Sequence, residues 1–233
     1  MLSLLSRVPY SHHFASHRDA RLPGTGKWLL QHRGFRDWEA KSLYSSLLLH
    51  GIAGCGKTSL CTAVIEKYLD DVSQTPTTAP LAYYYCNSSD PGLEGQPAED
   101  VLSSLAIRVT VSPLPSRQTH DAVITLCQQS YQQAKMDGFG LAKLNISECV
   151  ELVIAALAGN LVILVIDALD KVEEPKELVD ALEALISKSG NVVNMFMTTP
   201  DNPDVFAMLL AANNIHVTNG ITEPTYDRPR FAL

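Results

Sequence analysis

Gly51-Ile52-Ala53-Gly54-Cys55-Gly56-Lys57-Thr58 decides how this chain is read. The stretch fits G-x-x-x-x-G-K-S/T, follows the apolar run Leu47-Leu48-Leu49 and opens a helix-like segment from Ser59 to Tyr68. A strand, a turn of small residues and a helix, in that order, set successive backbone N–H groups around an anion at the positive end of a helix dipole. Gly51, Gly54 and Gly56 are expected to supply freedom in φ, and the loop from Gly51 through Ile52, Ala53 and Cys55 to Ser59 is the expected phosphate cradle. Lys57 would reach the β- and γ-phosphate oxygens as a point charge, and the Thr58 hydroxyl would hold a Mg²⁺ bridging the same two phosphates.

Outward from this loop, apolar runs of strand length alternate with amphipathic runs of helix length. Strands are predicted at Ser45 to His50, Leu81 to Cys86, Leu161 to Asp167, Val192 to Thr198 and Ile215 to Thr218, each apolar enough to be buried on both faces. Helices are predicted at Lys27 to Trp38, Lys57 to Tyr68, Ala98 to Thr110, His120 to Lys135, Ser147 to Ala158, Pro175 to Lys188 and Pro203 to Ala212. The alternation predicts an α/β P-loop NTPase core with a five-stranded, mostly parallel sheet and helices on both faces. Residues 1–20, carrying Arg7, Arg18 and three histidines against the single acid Asp19, read as a flexible basic arm; 21–220 form the core; 221–233, with two prolines and no apolar period, are expected to be unstructured.

The most apolar strand ends LVILVIDALDK, which places Asp167 and Asp170 just past the carboxyl edge of the sheet, where open α/β sheets bind ligands. A carboxylate closing a wholly apolar strand is costly unless a cation or hydrogen bonds receive it. Asp167 is therefore the candidate second Mg²⁺ ligand opposite Thr58, and Asp170 the candidate catalytic group that orients or deprotonates a water. A helix N-cap is the plain alternative for Asp170.

The chain has 233 residues, a net charge of −7 and a pI near 5.4, so nothing drives it globally toward nucleic acid or an anionic membrane. Its five cysteines show no C-x-x-C spacing, against a disulfide framework or a zinc site, and a reducing, cytoplasmic setting is the default. The longest apolar run, Leu161 to Ile166, is strand-sized, so no membrane span is expected.

GTGKWLL at Gly24 to Leu30, GIAGCGKTSL, LAYYYC at Leu81 to Cys86, LVILVIDALDK and NMFMTTP at Asn194 to Pro200 stand in the order seen in NACHT-type domains. The chain resembles their fungal branch, the nephrocystin-3-like N-terminal domains, over roughly residues 20–220. The resemblance implies a signal-transducing ATPase that uses ATP and Mg²⁺, a nucleotide-controlled switch, and homo- or hetero-oligomers with related NACHT proteins. It also implies that Gly24, Thr25 and Trp28 lie beside the nucleotide base, whereas Trp28 and Trp38 read from the residues alone serve equally as core anchors. Two positions depart from the family pattern: Asp170-Lys171 stands where Asp-Glu is usual, and Thr198-Thr199-Pro200 where Thr-Ser-Arg is usual.

These departures make binding the expectation and turnover the open point. The principal reading is an ATP-binding switch module, truncated relative to its family, with Asp170 serving any hydrolysis. The alternative is a non-hydrolysing interaction module that keeps the fold and associates with full-length relatives. A small-molecule kinase would need arginines in a lid after the third strand, and Lys171 to Lys188 contains none.

Overall fold

The computed structural model describes residues 10–40, 45–75, 79–86, 96–111, 125, 128, 144–157, 161–190, 193–212, 215 and 217–222. Within these the elements run α1 (Tyr10–Ala20), α2 (Lys27–Gln31), α3 (Arg33–Glu39), β1 (Ser45–Gly51), α4 (Lys57–Gln74), β2 (Leu81–Tyr85) and α5 (Ala98–Val111). They continue with α6 (Ile146–Leu157), β3 (Val162–Asp167), a 3-10 turn at Leu169–Lys171, α7 (Pro175–Ser189), β4 (Val193–Pro200), α8 (Pro203–Ala211) and β5 (Val217–Thr222).

The strands form one sheet in the order β2-β3-β4-β1-β5, and each strand runs parallel to its neighbours. All six residues of β3 are buried, which is why its sequence is a continuous apolar run rather than an alternation. Two apolar layers flank the sheet. One gathers Leu29, Phe35, Trp38, Leu60, Val64, Ile65 and Tyr68 from α2, α3 and α4 around Phe196 of β4. The other gathers side chains of α5, α6, α7 and α8 on the opposite face around Leu164, Ile166, Met195 and Met197. The expected parallel α/β core with helices on both faces is thus met. Because all strands run the same way, the ends of β1, β3 and β4 (Gly51, Asp167 and Pro200) share one edge.

Local differences from the expected elements have physical causes. The single helix expected over Lys27 to Trp38 is broken at His32, whose extended backbone (φ −64, ψ 136) lets its Nδ1 accept from the Gly34 N–H at 3.1 Å and cap α3. The helix expected to start at Ser147 is opened instead by Asn145: its Oδ1 accepts from Glu148 N at 3.0 Å while its own N–H donates to Glu148 Oε2 at 2.9 Å. The flexible arm is corrected over Tyr10–Ala20, which is a helix lying on α4 and the edge strand β2. Its stretch lacks an apolar period because it docks through rings, Phe14 on Tyr83 and His17 on Tyr85. The helix expected at His120 to Lys135, apart from Thr125 and Gln128, and the tail from Glu223 lie outside the described residues.

The linker between α1 and α2 is fastened to α4. The Arg21 guanidinium donates to the Thr25 carbonyl and to the Glu66 carboxylate of α4. Gly26 sits at φ +95, and a Cβ there would lie 2.6 Å from the Ala63 Cβ of α4. Gly26→Ala combines a left-handed backbone with overpacking against a rigid helix, and is expected to cost about 2–3 kcal/mol, a fall of about 5–10 °C in melting temperature for a chain of this size. An unchanged melting curve would mean that this linker does not pack on α4.

Candidate functional site

The first turn of α4 stands at the shared sheet edge with its N-terminus uncapped. Its N-cap, Gly56, is left-handed (φ 99, ψ 14) and offers no side-chain acceptor, whereas α3 and α8 are capped by His32 and Asn202. Gly54 is also left-handed (φ 78), and a Cβ added at Gly54 or Gly56 would meet no atom within 4 Å, so at these two positions the backbone conformation and not crowding favours glycine. The first backbone N–H groups of α4 are therefore available to an anion. Gly51 differs from the expectation: its φ is not in the left-handed region, and a Cβ there would lie 3.1 Å from the Cys55 Sγ, a tight contact. Lys57 folds over the loop, donating from Nζ to the carbonyls of Gly51 at 2.9 Å and Ile52 at 2.8 Å. Ile52 is 70 % exposed at the loop's tip.

Across the end of β4 stands Asp167, the last residue of β3 and only 3 % exposed. Thr58 Oγ1 donates to one carboxylate oxygen at 2.7 Å and Thr198 Oγ1 to the other at 2.5 Å. Thr198 in turn accepts from the N–H of Ala168 at 2.8 Å. Ala168 is left-handed (φ 58), the one non-glycine residue with positive φ among the described residues, and this turns the chain into the 3-10 segment directly after the carboxylate. Such backbone strain concentrates at functional sites.

Burial pushes the Asp167 carboxyl above its ordinary range; the two threonine hydroxyls, His17 and Lys57 pull it back toward the charged form. The surroundings confirm how dry the position is. Burial, then the Asp167 charge, pushes the thiols of Cys61 and Cys86 well up. The His17 imidazole is held below its ordinary value by its own burial, against the opposing pull of Asp167.

Thr58 and Asp167 were picked from the sequence, and the fold brings them into direct contact. A hydroxyl and a carboxylate beside a glycine-rich loop and an uncapped helix N-terminus are oxygen donors of the kind that Mg²⁺ takes. Among the described residues no group of three or more His, Cys, Asp or Glu side chains is placed to hold a metal ion. Asp170 lies in the 3-10 turn with its side chain 12 % exposed, its carboxylate 3.4 Å from Lys171 Nζ. Gly24 and Thr25 lie in the linker held on α4 by Arg21, and Trp28 packs on the α2–α4 apolar layer. Trp38 is a core anchor, fully buried with its Nε1 donating to the Ser45 carbonyl at 3.1 Å.

Three residues of the site escaped the sequence reading. Thr198 was seen only as the first residue of a Thr-Thr-Pro strand end, and nothing in the order of residues puts β4 beside Asp167. Thr62 and Tyr85 join α4 to β2: the two hydroxyls are 3.0 Å apart, and Thr62 Oγ1 donates to the Thr58 carbonyl at 2.8 Å. The only sequence signal for them is polarity inside otherwise apolar elements. Behind the loop, His50 Nδ1 lies 2.7 Å from Asp201 Oδ1, tying the ends of β1 and β4 together.

The model of the family described as nephrocystin 3, N-terminal, matches residues 24–199, from the first glycine of the linker on α4 to the end of β4. Among solved structures, the Aeropyrum pernix ORC1 protein in complex with DNA is similar with a TM-score of 0.49 and 14 % sequence identity, covering 97 % of this chain and 49 % of that one. The chain thus spans about half the length of that protein. A search of curated proteins finds no significant match. With the family match running over three-quarters of its length, this chain belongs to the nephrocystin 3 N-terminal family.

Proposed function

We propose that this chain is a Mg²⁺–ATP-binding switch module of the NACHT, signal-transducing ATPase type, in which binding is strong and turnover weak. The observation that carries the reading is the Thr58–Asp167 contact at 2.7 Å beside the uncapped N-terminus of α4 and the Lys57 ammonium. The N–H groups of α4's first turn and the loop would cradle the phosphates, and Lys57 would exchange its two carbonyl acceptors for phosphate oxygens. Thr58 and Asp167 would hold Mg²⁺, which when bound neutralises charge on the β- and γ-phosphates. Gly24, Thr25 and Trp28, on the linker beside α4, would border the base. ATP rather than GTP follows from the family resemblance, since no Asn-Lys-x-Asp segment occurs to read guanine.

Two observations favour weak turnover. Lys171 stands where the family pattern carries a glutamate, and its ammonium lies 3.4 Å from the Asp170 carboxylate, so the position after Asp170 supplies no second carboxylate to act on a water. Pro200 ends β4 next to Gly51, where the family pattern carries an arginine, so no cation from that position meets developing charge on the phosphate. The same facts support a second reading, an interaction module whose output is association with related chains, and single-turnover ATP hydrolysis separates the two.

Melting the purified chain with ATP, ADP and GTP, with and without Mg²⁺, tests the reading. Adenine nucleotide at about a hundred times its dissociation constant should add about 2.7 kcal/mol, or about 5–10 °C, with Mg²⁺ enlarging the ATP effect. Absence of any adenine-dependent shift would refute nucleotide binding by this fold.

A further inference from the structure

Helix α1 lies before the stretch that the family model matches, which begins at residue 24. It nevertheless reaches the phosphate site. The His17 ring rests on the Tyr85 ring, with centroids 4.8 Å apart and planes tilted by 37°. Tyr85 is the last residue of β2 and pairs in register with Asp167. Its hydroxyl meets Thr62 Oγ1 at 3.0 Å, Thr62 donates to the Thr58 carbonyl at 2.8 Å, and Thr58 donates to Asp167 at 2.7 Å. One unbroken series of contacts thus runs from α1 to the two groups that would hold Mg²⁺.

We propose that α1 is a wall of the nucleotide site and that His17 is a positioning residue for the Thr58–Asp167 pair, acting through Tyr85 and Thr62. The inference rests on the Mg²⁺–nucleotide reading of that pair. Three further features support it. Phe14 packs on Tyr83 one turn before His17, with ring centroids 5.5 Å apart, so α1 is held by two rings on the same face of β2. Arg21, just past its C-terminus, clamps the linker to Glu66 of α4, which fixes α1 relative to the helix that carries Thr58. The Tyr83 and Tyr85 rings also meet each other edge-on, with centroids 6.1 Å apart, so α1 rests on one aromatic surface.

The mechanism is steric. Tyr85 ends the edge strand β2, and its ring is in contact with those of His17 and Tyr83. A Tyr85 free to turn would lose its bond to Thr62, and the Thr58 hydroxyl would no longer be held at a fixed distance from Asp167, while the backbone of α4's first turn keeps its own helical bonds. Cation affinity is sensitive to such outer supports, whose loss typically weakens metal binding by about 10–100-fold. Phosphate contacts made by the loop and Lys57 do not pass through Tyr85 and should be spared.

Calorimetric titration of ATP, with Mg²⁺ and with EDTA, into wild type, His17→Ala and His17→Phe tests this, each protein first being shown folded by circular dichroism. His17→Ala is expected to lose about tenfold in affinity with Mg²⁺ and less than about twofold in EDTA, while His17→Phe, which keeps a ring on Tyr85, stays within about twofold of wild type in both. Equal affinity of His17→Ala and wild type in Mg²⁺ would overturn the proposal. So would equal losses with and without Mg²⁺, which would mark a general structural role, or a His17→Phe protein as impaired as His17→Ala. Wild type that binds no ATP would overturn this inference and the Mg²⁺–nucleotide reading together, whereas wild type that binds normally isolates a failure to His17.

Discussion

Lys57→Ala is expected to remove half or more of the nucleotide-dependent rise in melting temperature while leaving the unliganded protein nearly as stable as wild type. The asymmetry follows from what the ammonium touches. Without nucleotide it donates to the carbonyls of Gly51 and Ile52, and the contact to Ile52 is exposed to water, which can replace the lysine as donor. The change in unliganded stability should stay within about 0.5 kcal/mol. With nucleotide, the same group would serve charged acceptors, where each lost hydrogen bond costs about 1.5–3 kcal/mol, equivalent to a loss of about 10- to 150-fold in affinity. Nothing else in the loop replaces the charge, since the other donors there are backbone N–H groups. A Lys57→Ala protein that still shows the full wild-type shift with Mg²⁺–ATP would place nucleotide binding away from Gly51 to Thr58 and remove the basis of the proposed function.

Asp167→Asn should do the opposite to the unliganded protein, stabilising it while removing the Mg²⁺ dependence of ATP binding. Asp167 is a carboxylate 3 % exposed at the end of an apolar strand, and burial raises its pKa. The sign follows from linkage. A carboxyl whose folded value lies above its unfolded value near about 3.9 contributes most to stability below the unfolded value, and that contribution is lost as pH rises through the folded one. Above its folded value the unliganded protein therefore bears the cost of ionising a buried group. Asparagine has nearly the same shape; its Oδ1 can accept from one threonine hydroxyl and its Nδ2 donate to the other, so neither Thr58 nor Thr198 is stranded. The expected gain is about 0.5–2 kcal/mol, with about 2–4 °C in melting temperature per kcal/mol, and the wild-type decline in stability with rising pH should be reduced in the variant. A lower melting temperature for Asp167→Asn, or ATP binding that still tightens with Mg²⁺, would show that the carboxylate is a structural group and not a metal ligand.

Both predictions concern residues legible before any fold was known, and for the same reason. A phosphate loop is local: eight consecutive residues contain the flexible glycines, the cation and the hydroxyl, and the helix that follows supplies the dipole. Asp167 is legible because a charge terminating the wholly apolar run Leu161 to Ile166 is an anomaly that needs a partner. Buried parallel strands are also easy to see, since burial on both faces leaves a continuous apolar run; β1, β2, β3 and β4 stand within a residue or two of their expected places. Helix ends were less legible. His32 breaks the expected helix because its ring reaches the Gly34 N–H, and Asn145 displaces Ser147 as the cap by a reciprocal bond to Glu148.

The amino-acid sequence by itself determined the chemistry of the loop, the acidic strand end and the α/β class, because each is written in neighbouring residues or in burial periodicity. The tertiary structure alone decided what surrounds them. Periodicity reports whether a strand is buried, not which strand lies beside it, and the order β2-β3-β4-β1-β5 inserts β4 between the strands that carry the loop and Asp167. That insertion sets Thr198 on the second oxygen of the carboxylate and fixes the end of β4 next to Gly51. The docking of α1 was invisible for a similar reason: its contacts are aromatic faces on β2, a strand more than sixty residues further along the chain, and a helix with no apolar stripe of its own acquires its place only from the surface it meets.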